Sequence, residues 1–141
     1  MNPALLITVA IQFGCQAFKV VYYSIRNRRL EAHRLFSTGG MPSAHSAFVS
    51  ALTVSVGLVE GWASAAFTVS VVLAAIVVFD AIRLRRTVDH HSRVLHELIA
   101  LLPDRRPAFN PPVVGHSTSE VVVGIAVGAV FSTLAYQLFV A

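Results

Sequence analysis

Four apolar runs divide this chain, over about Pro3–Ile25, Ser46–Leu58, Ala63–Ile82 and Val121–Val140, and most of the charge lies between them. Backbone in hydrocarbon must satisfy its own N–H and C=O groups, so such runs become helices, at roughly 20 residues for each crossing. Of 141 residues 55% are hydrophobic and 13% charged, with a mean hydropathy of +0.69, too apolar for an ordinary water-soluble domain. The expected fold is all-α and a single domain over residues 1–141. It is a small integral membrane helical bundle of about four transmembrane helices, with interfacial helices between them. The first run lacks a basic leader and a small-residue cleavage site, so it is expected to be a retained helix. Cys15 lies inside that run with no second cysteine to pair with and reads as a packing residue.

The charge between the runs is mostly basic. Ten Arg and the single Lys19 outweigh the acids to a net +4. Arginine's planar fork suits phosphate oxygens, on a lipid headgroup or on a substrate. Nucleic acid is excluded as a partner, because most of the chain is committed to lipid and no nucleic-acid-binding motif is present. The segment Leu84–Leu102 alternates Leu and Val with Arg85, Arg86, Asp89, His90, His91, Arg93, His96 and Glu97, the pattern of an interfacial amphipathic helix. Its histidines fall on several faces without a standard ligand spacing, so no metal site is assigned. Trp62, after the turn at Glu60-Gly61, is placed as an interface anchor.

Chemistry concentrates in a few places. Gly39-Gly40-Met41-Pro42-Ser43-Ala44-His45-Ser46 joins a glycine turn to a helix start, where free N–H groups and the helix dipole favour an anion. Pro42 suits the first helical turn, and Ser43 or Ser46 can cap it. His45 beside such a site can protonate a leaving oxygen. In the first run, Gln12, Gln16 and Lys19 follow i, i+4, i+7 spacing and share a face that should point into the bundle. Lys19 taken alone reads as a side chain snorkelling to the interface. Asp80 and Arg83, i and i+3, can pair near the membrane edge. In the last run His116 and Glu120 share a face if the helix includes His116, and the carboxylate can then orient the imidazole. Gly124 and Gly128 make a G-x-x-x-G spacing, a surface through which a homo-oligomer could pack. Counting crossings from the first run brings the Arg26 cluster, Gly40–His45, Asp80–Arg83 and His116 to one membrane face. Their basic surroundings place that face in the cytoplasm of a multi-pass inner-membrane protein, with both termini outside.

These residues resemble the type-2 phosphatidic acid phosphatase superfamily, which includes the vanadium haloperoxidases, and specifically its short divergent branch of bacterial and plastid membrane proteins. The superfamily's first motif is Lys, six residues, Arg-Pro; Lys19 and Arg26 keep that spacing, with Asn27 in place of the proline. Its second, Pro-Ser-Gly-His, is similar to Pro42-Ser43-Ala44-His45. Its third ends in His, three residues, Asp, matched by His116 and Glu120 with a longer acid. The divergent branch's Gly-Gly-Met-Pro-Ser-x-His-Ser and Gly-His-[Thr/Ser]-x-x-Glu-Val segments recur here, and the likeness spans nearly the whole chain.

The resemblance implies a metal-independent phosphatase without cofactor. His116 is its nucleophile, Glu120 orients His116, and His45 is the acid for the leaving group. Lys19, Arg26, Gly40 and Ser43 are its phosphate holders. The superfamily's Ser-Arg falls here at Phe109-Asn110, so Arg83, positioned by Asp80, or else Arg106, is expected to take the place of that arginine. The expected substrate is a phosphorylated lipid, a phosphate monoester or a diphosphate, and the other partners are membrane lipids. The alternative is a non-catalytic membrane protein that binds or transports such a lipid.

Overall fold

Each apolar run forms a helix, and its start is set by the residue that caps it. The computed structural model describes residues 2–35, 40–101 and 117–141. Among these, α1 covers Pro3–Asn27, α2 Ala44–Glu60, α3 Ala65–Ile82, α4 Leu84–Ala100 and α5 Thr118–Phe139, with a 3-10 turn at Ala32–Leu35. Asn2, Ser43, Ser64 and Ser117 are the N-caps of α1, α2, α3 and α5. Each side-chain oxygen accepts a first-turn N–H that the helix itself leaves unpaired. Pro42, expected inside the first turn of α2, instead precedes the cap. The Ser43 hydroxyl takes the Ser46 N–H at 3.4 Å, and this starts the helix one residue later, at Ala44.

Contacts along the helices fix their directions. Asn2 Nδ2 donates to Glu60 Oε1 at 3.5 Å, which joins the start of α1 to the end of α2. At the opposite end Gly40, just before α2, lies against Tyr23 near the end of α1. The two helices are therefore antiparallel. After the turn at Gly61 (φ +91°), α3 returns along α2, and Thr53 Oγ1 of α2 donates to the Ser70 carbonyl of α3 at 3.2 Å. α5 runs parallel to α2: Gly124 faces Ser43, Ser46 and Ala47, and one turn later Gly128 faces Ala47, Ser50 and Ala51. α2 is the hub, packed on α1, α3 and α5.

Residue sizes are distributed the way a bilayer requires. The buried apolar positions are mostly small, among them Ala4, Cys15, Ala44, Ala47, Ala51 and Ala81, and Ser43, Ser46, Ser55, Ser70 and Ser132 are buried with them. Large side chains such as Phe13, Phe18, Val69, Ile76, Phe131 and Leu138 point outward. In water this arrangement would leave the apolar surface unpaid for; in lipid it lets backbones approach closely while Leu, Val and Phe face the acyl chains. α1, α3 and α5 are each long and apolar enough to cross a membrane, and α2 is a shorter apolar helix of 17 residues, about 25 Å long. The bundle thus has three or four membrane-spanning helices.

The Gly124 and Gly128 ridge, expected to serve a second copy, is filled from within the chain. An added Cβ would sit 2.5 Å from the Ser43 carbonyl oxygen at Gly124 and closer still to that of Ala47 at Gly128. The two glycines are what allow α5 to lie backbone to backbone on α2. α4 stands apart: among the described elements it packs only on α3, and Val88, Val94, Leu95 and Leu98 remain exposed along its length. It is the amphipathic helix expected for Leu84–Leu102, ending at Ala100.

Candidate functional site

Three helix ends meet at one end of the bundle: the last turns of α1, the first turn of α2 and the first turn of α5. The junction is a backbone hydrogen bond, from the Ser43 N–H to the Glu120 carbonyl oxygen at 3.0 Å. Ser43 therefore joins two helices, capping α2 with its hydroxyl and docking on α5 with its N–H. Its side chain is fully buried, 3.0 Å from the equally buried Ser46 hydroxyl. His45, the second residue of α2, is half-buried beside this pair. Gly40, at φ +77°, turns the chain into the segment, a backbone conformation natural to glycine. The Tyr23 phenol fills the space on its side-chain face.

Lys19 is 2% exposed, which corrects its reading as a snorkelling residue. α1 continues for about two turns beyond it, so the Lys19 backbone lies roughly 12 Å before the helix end, with its side chain on the inner face. Gln12 and Gln16 share that face, and their carbonyl oxygens are buried as the spacing predicts. A buried ammonium is expensive in a bilayer and marks a functional position more often than an accidental one. Arg26, i+7 from Lys19, is exposed in the last turn of α1, where its charge complements the helix dipole.

Glu120 sits in the first turn of α5 and closes a capping box: its Oε2 accepts the Ser117 N–H at 3.3 Å, while Ser117 Oγ accepts the Glu120 N–H at 3.2 Å. Ser117 is the cap and the helix begins at Thr118. His116 lies outside the described residues, as does Arg106. Asp80 and Arg83 end α3 at the same end of the bundle, but both are exposed and no ion pair joins them. The Arg83 guanidinium instead lies over the Phe79 ring, 5.6 Å from its centroid, a contact that directs it toward the outer surface.

Sequence reasoning passed over Glu31. It is 1% exposed, and its Oε1 accepts from Arg29 Nε at 2.6 Å and from Asn27 Nδ2 at 3.1 Å. Its N–H donates to Ser24 Oγ at 3.0 Å. Together with Arg28 in the left-handed region (φ 51°), these bonds fold the chain back after α1 and hold the basic segment at the site end. A carboxylate amid arginines reads as surface charge in sequence, and only the reversal of the chain after Asn27 buries it.

The arrangement offers an ammonium, two hydroxyls, a helix N-terminus and an imidazole toward one end of the bundle. A family model described as "Divergent PAP2 family" matches residues 1–131. A protein named "Uncharacterized membrane protein YuiD", from Bacillus subtilis (strain 168), is 40% identical over 98 residues, 70% of this chain. The match spans 62% of that relative's own length. No solved structure matches the chain significantly. The inward Lys19, the Pro42-Ser43-Ala44-His45 helix start and the family match over 131 residues lead to one conclusion: this integral membrane protein belongs to the divergent PAP2 family.

Proposed function

We propose that the protein is a membrane phosphatase that hydrolyses a lipid phosphate monoester or diphosphate, phosphatidylglycerol phosphate being favoured, through a phosphohistidine intermediate. The observation that carries this reading is the convergence of the buried Lys19, the Ser43-capped start of α2 with His45, and the Glu120 turn of α5. Binding alone needs neither a nucleophile nor an acid, and this sequence keeps both His45 and the His116–Glu120 pair.

In the proposed reaction His116 attacks phosphorus and the P–O bond to the lipid breaks. His45 gives its proton to the departing oxygen, and water then attacks the phosphohistidine, with His45 taking back a proton. Lys19, Arg26, Ser43 and the N–H groups at the start of α2 hold the phosphoryl oxygens as charge develops on them. No metal takes part in this scheme. The site faces the cytoplasm, where phosphatidylglycerol phosphate would reach it.

The test is phosphate release by detergent-purified protein from phosphatidylglycerol phosphate, phosphatidic acid and a polyprenyl diphosphate, with chelator present and His116→Ala alongside. Release that survives chelation and disappears in the variant is expected; normal turnover by His116→Ala would remove the nucleophile. One observation favours the second reading, a protein that binds or moves a phosphorylated lipid. Arg83, the expected substitute for the superfamily's arginine, lies against Phe79 rather than Asp80. Vanadate binding without turnover of any substrate would select that reading.

A further inference from the structure

α4 begins where α3 leaves the membrane. α3, Ala65–Ile82, is apolar enough to cross, and only Arg83 separates it from α4, Leu84–Ala100, at the site end of the bundle. α4 does not join the apolar helices, because charged residues are spread along its length. They are not spread around it. Val88, His91, Leu95 and Leu98 follow i, i+3, i+7, i+10 spacing along one face, with Val94 at its margin; His90, Arg93 and Glu97 follow i, i+3, i+7 spacing along the opposite one. Both faces are exposed, and among the described elements α4 packs only on α3. Four arginines and one acid between residues 83 and 93 make the junction of the two helices basic. At that junction the Arg83 guanidinium lies over the Phe79 ring, on the outward surface that α3 presents to lipid.

An exposed apolar stripe opposite a charged face, directly after a crossing helix, fits the boundary between acyl chains and headgroups. A second copy fits it less well. In a dry seam between helices His91 would set an imidazole among Val and Leu side chains, whereas at headgroup depth its polar tip stays hydrated. We propose that α4 lies along the bilayer surface at the site end, with Val88, Leu95 and Leu98 among the acyl chains, and that its basic junction with α3 gathers anionic phospholipid. The inference goes beyond the phosphatase reading and holds whether the site hydrolyses or only binds. Seated this way, α4 fixes how deep α3 sits. Because α3 packs on α2, whose first turn carries His45 after the Ser43 cap, the site end is held at the level of the headgroups.

The test uses full-length protein reconstituted in vesicles of phosphatidylcholine and phosphatidylglycerol. Single cysteines, Val88→Cys, Leu95→Cys and Glu97→Cys in a Cys15→Ala background, each carry a fluorophore that is quenched in turn by iodide in the buffer and by lipid bearing a nitroxide on its acyl chain close to the headgroup. Labels replacing Val88 and Leu95 should be quenched by the lipid nitroxide and sheltered from iodide, and the label replacing Glu97 should behave the other way round. With the nitroxide on phosphatidylglycerol rather than on phosphatidylcholine, the label replacing Val88 should report an excess of anionic lipid. Arg83→Gln should cut that excess about fivefold, the contribution of one arginine near an anionic surface. Iodide reaching all three labels equally would place α4 in water and overturn the proposal. Shelter of the Val88 and Leu95 labels from both quenchers would put protein on the stripe and overturn it as well. Equal quenching by the two nitroxide lipids, or an excess that Arg83→Gln leaves unchanged, would overturn the anionic assignment. None of these readouts uses turnover or vanadate, so failure here is distinct from failure of the phosphatase reading.

Discussion

Glu31 shows how much one buried side chain can organise. Its carboxylate takes two donors and its N–H a third partner, so the turn after α1 is pinned at three points within eight residues of chain. Arg29 is largely exposed, which screens the ion pair, and most of the stabilisation belongs to the buried hydrogen bonds. Glu31→Ala should lower stability by about 1–3 kcal/mol, seen as a fall in unfolding temperature, while Ser24→Ala should cost less. An unchanged unfolding temperature for Glu31→Ala would show that the turn holds without it. Legibility at this scale was uneven. The inward face of Gln12, Gln16 and Lys19 follows from spacing alone, because helical periodicity decides which residues are neighbours. That Lys19 is buried does not, since its depth depends on α1 continuing to Asn27 and on α2 covering it. The Asp80–Arg83 pairing fails for a similar reason: i, i+3 spacing permits a pair, but the Phe79 ring beside Arg83 competes for the guanidinium.

Among the elements, the α2–α5 contact carries the tightest constraint. Gly124 and Gly128 face backbone atoms, which cannot swing aside as a flexible side chain can. Gly128→Val should push the helices apart and cost about 1–3 kcal/mol, the usual penalty of overpacking, read as lower thermal stability in detergent. Gly124→Ala should in addition disturb the Ser43 turn and weaken vanadate binding. Gly14 provides the contrast: a Cβ there meets nothing within 4 Å, so Gly14→Ala should be neutral or stabilise α1 through higher helix propensity. The G-x-x-x-G spacing was visible in sequence, but spacing identifies a surface for close approach and not the helix that approaches. Both oligomer and internal packing satisfy it until the tertiary contacts are known. Helix starts were more legible, because capping is local: Ser43 was one of two candidate caps of α2, and its hydrogen bond selects it.

For the whole molecule, helix directions determine how many times the chain crosses. α1 begins beside the end of α2, and α5 runs parallel to α2, so the start of α1 and the end of α5 lie at the same end of the bundle, opposite the site. If only α1, α3 and α5 crossed the bilayer, three crossings would put the two ends on opposite sides. With α2 as a fourth, shorter crossing they share a side, which we propose from the basic segments at the site end to be the outer one. In a Cys15→Ala background, Asn2→Cys and Ala141→Cys should both react with a membrane-impermeant maleimide added to intact cells, and Arg28→Cys should react only after lysis. Labelling of the two ends from opposite sides would reduce α2 to an element that does not cross. Labelling of Arg28→Cys in intact cells would turn the site outward and shift the favoured substrate from a lipid made inside the cell to a polyprenyl diphosphate released outside it.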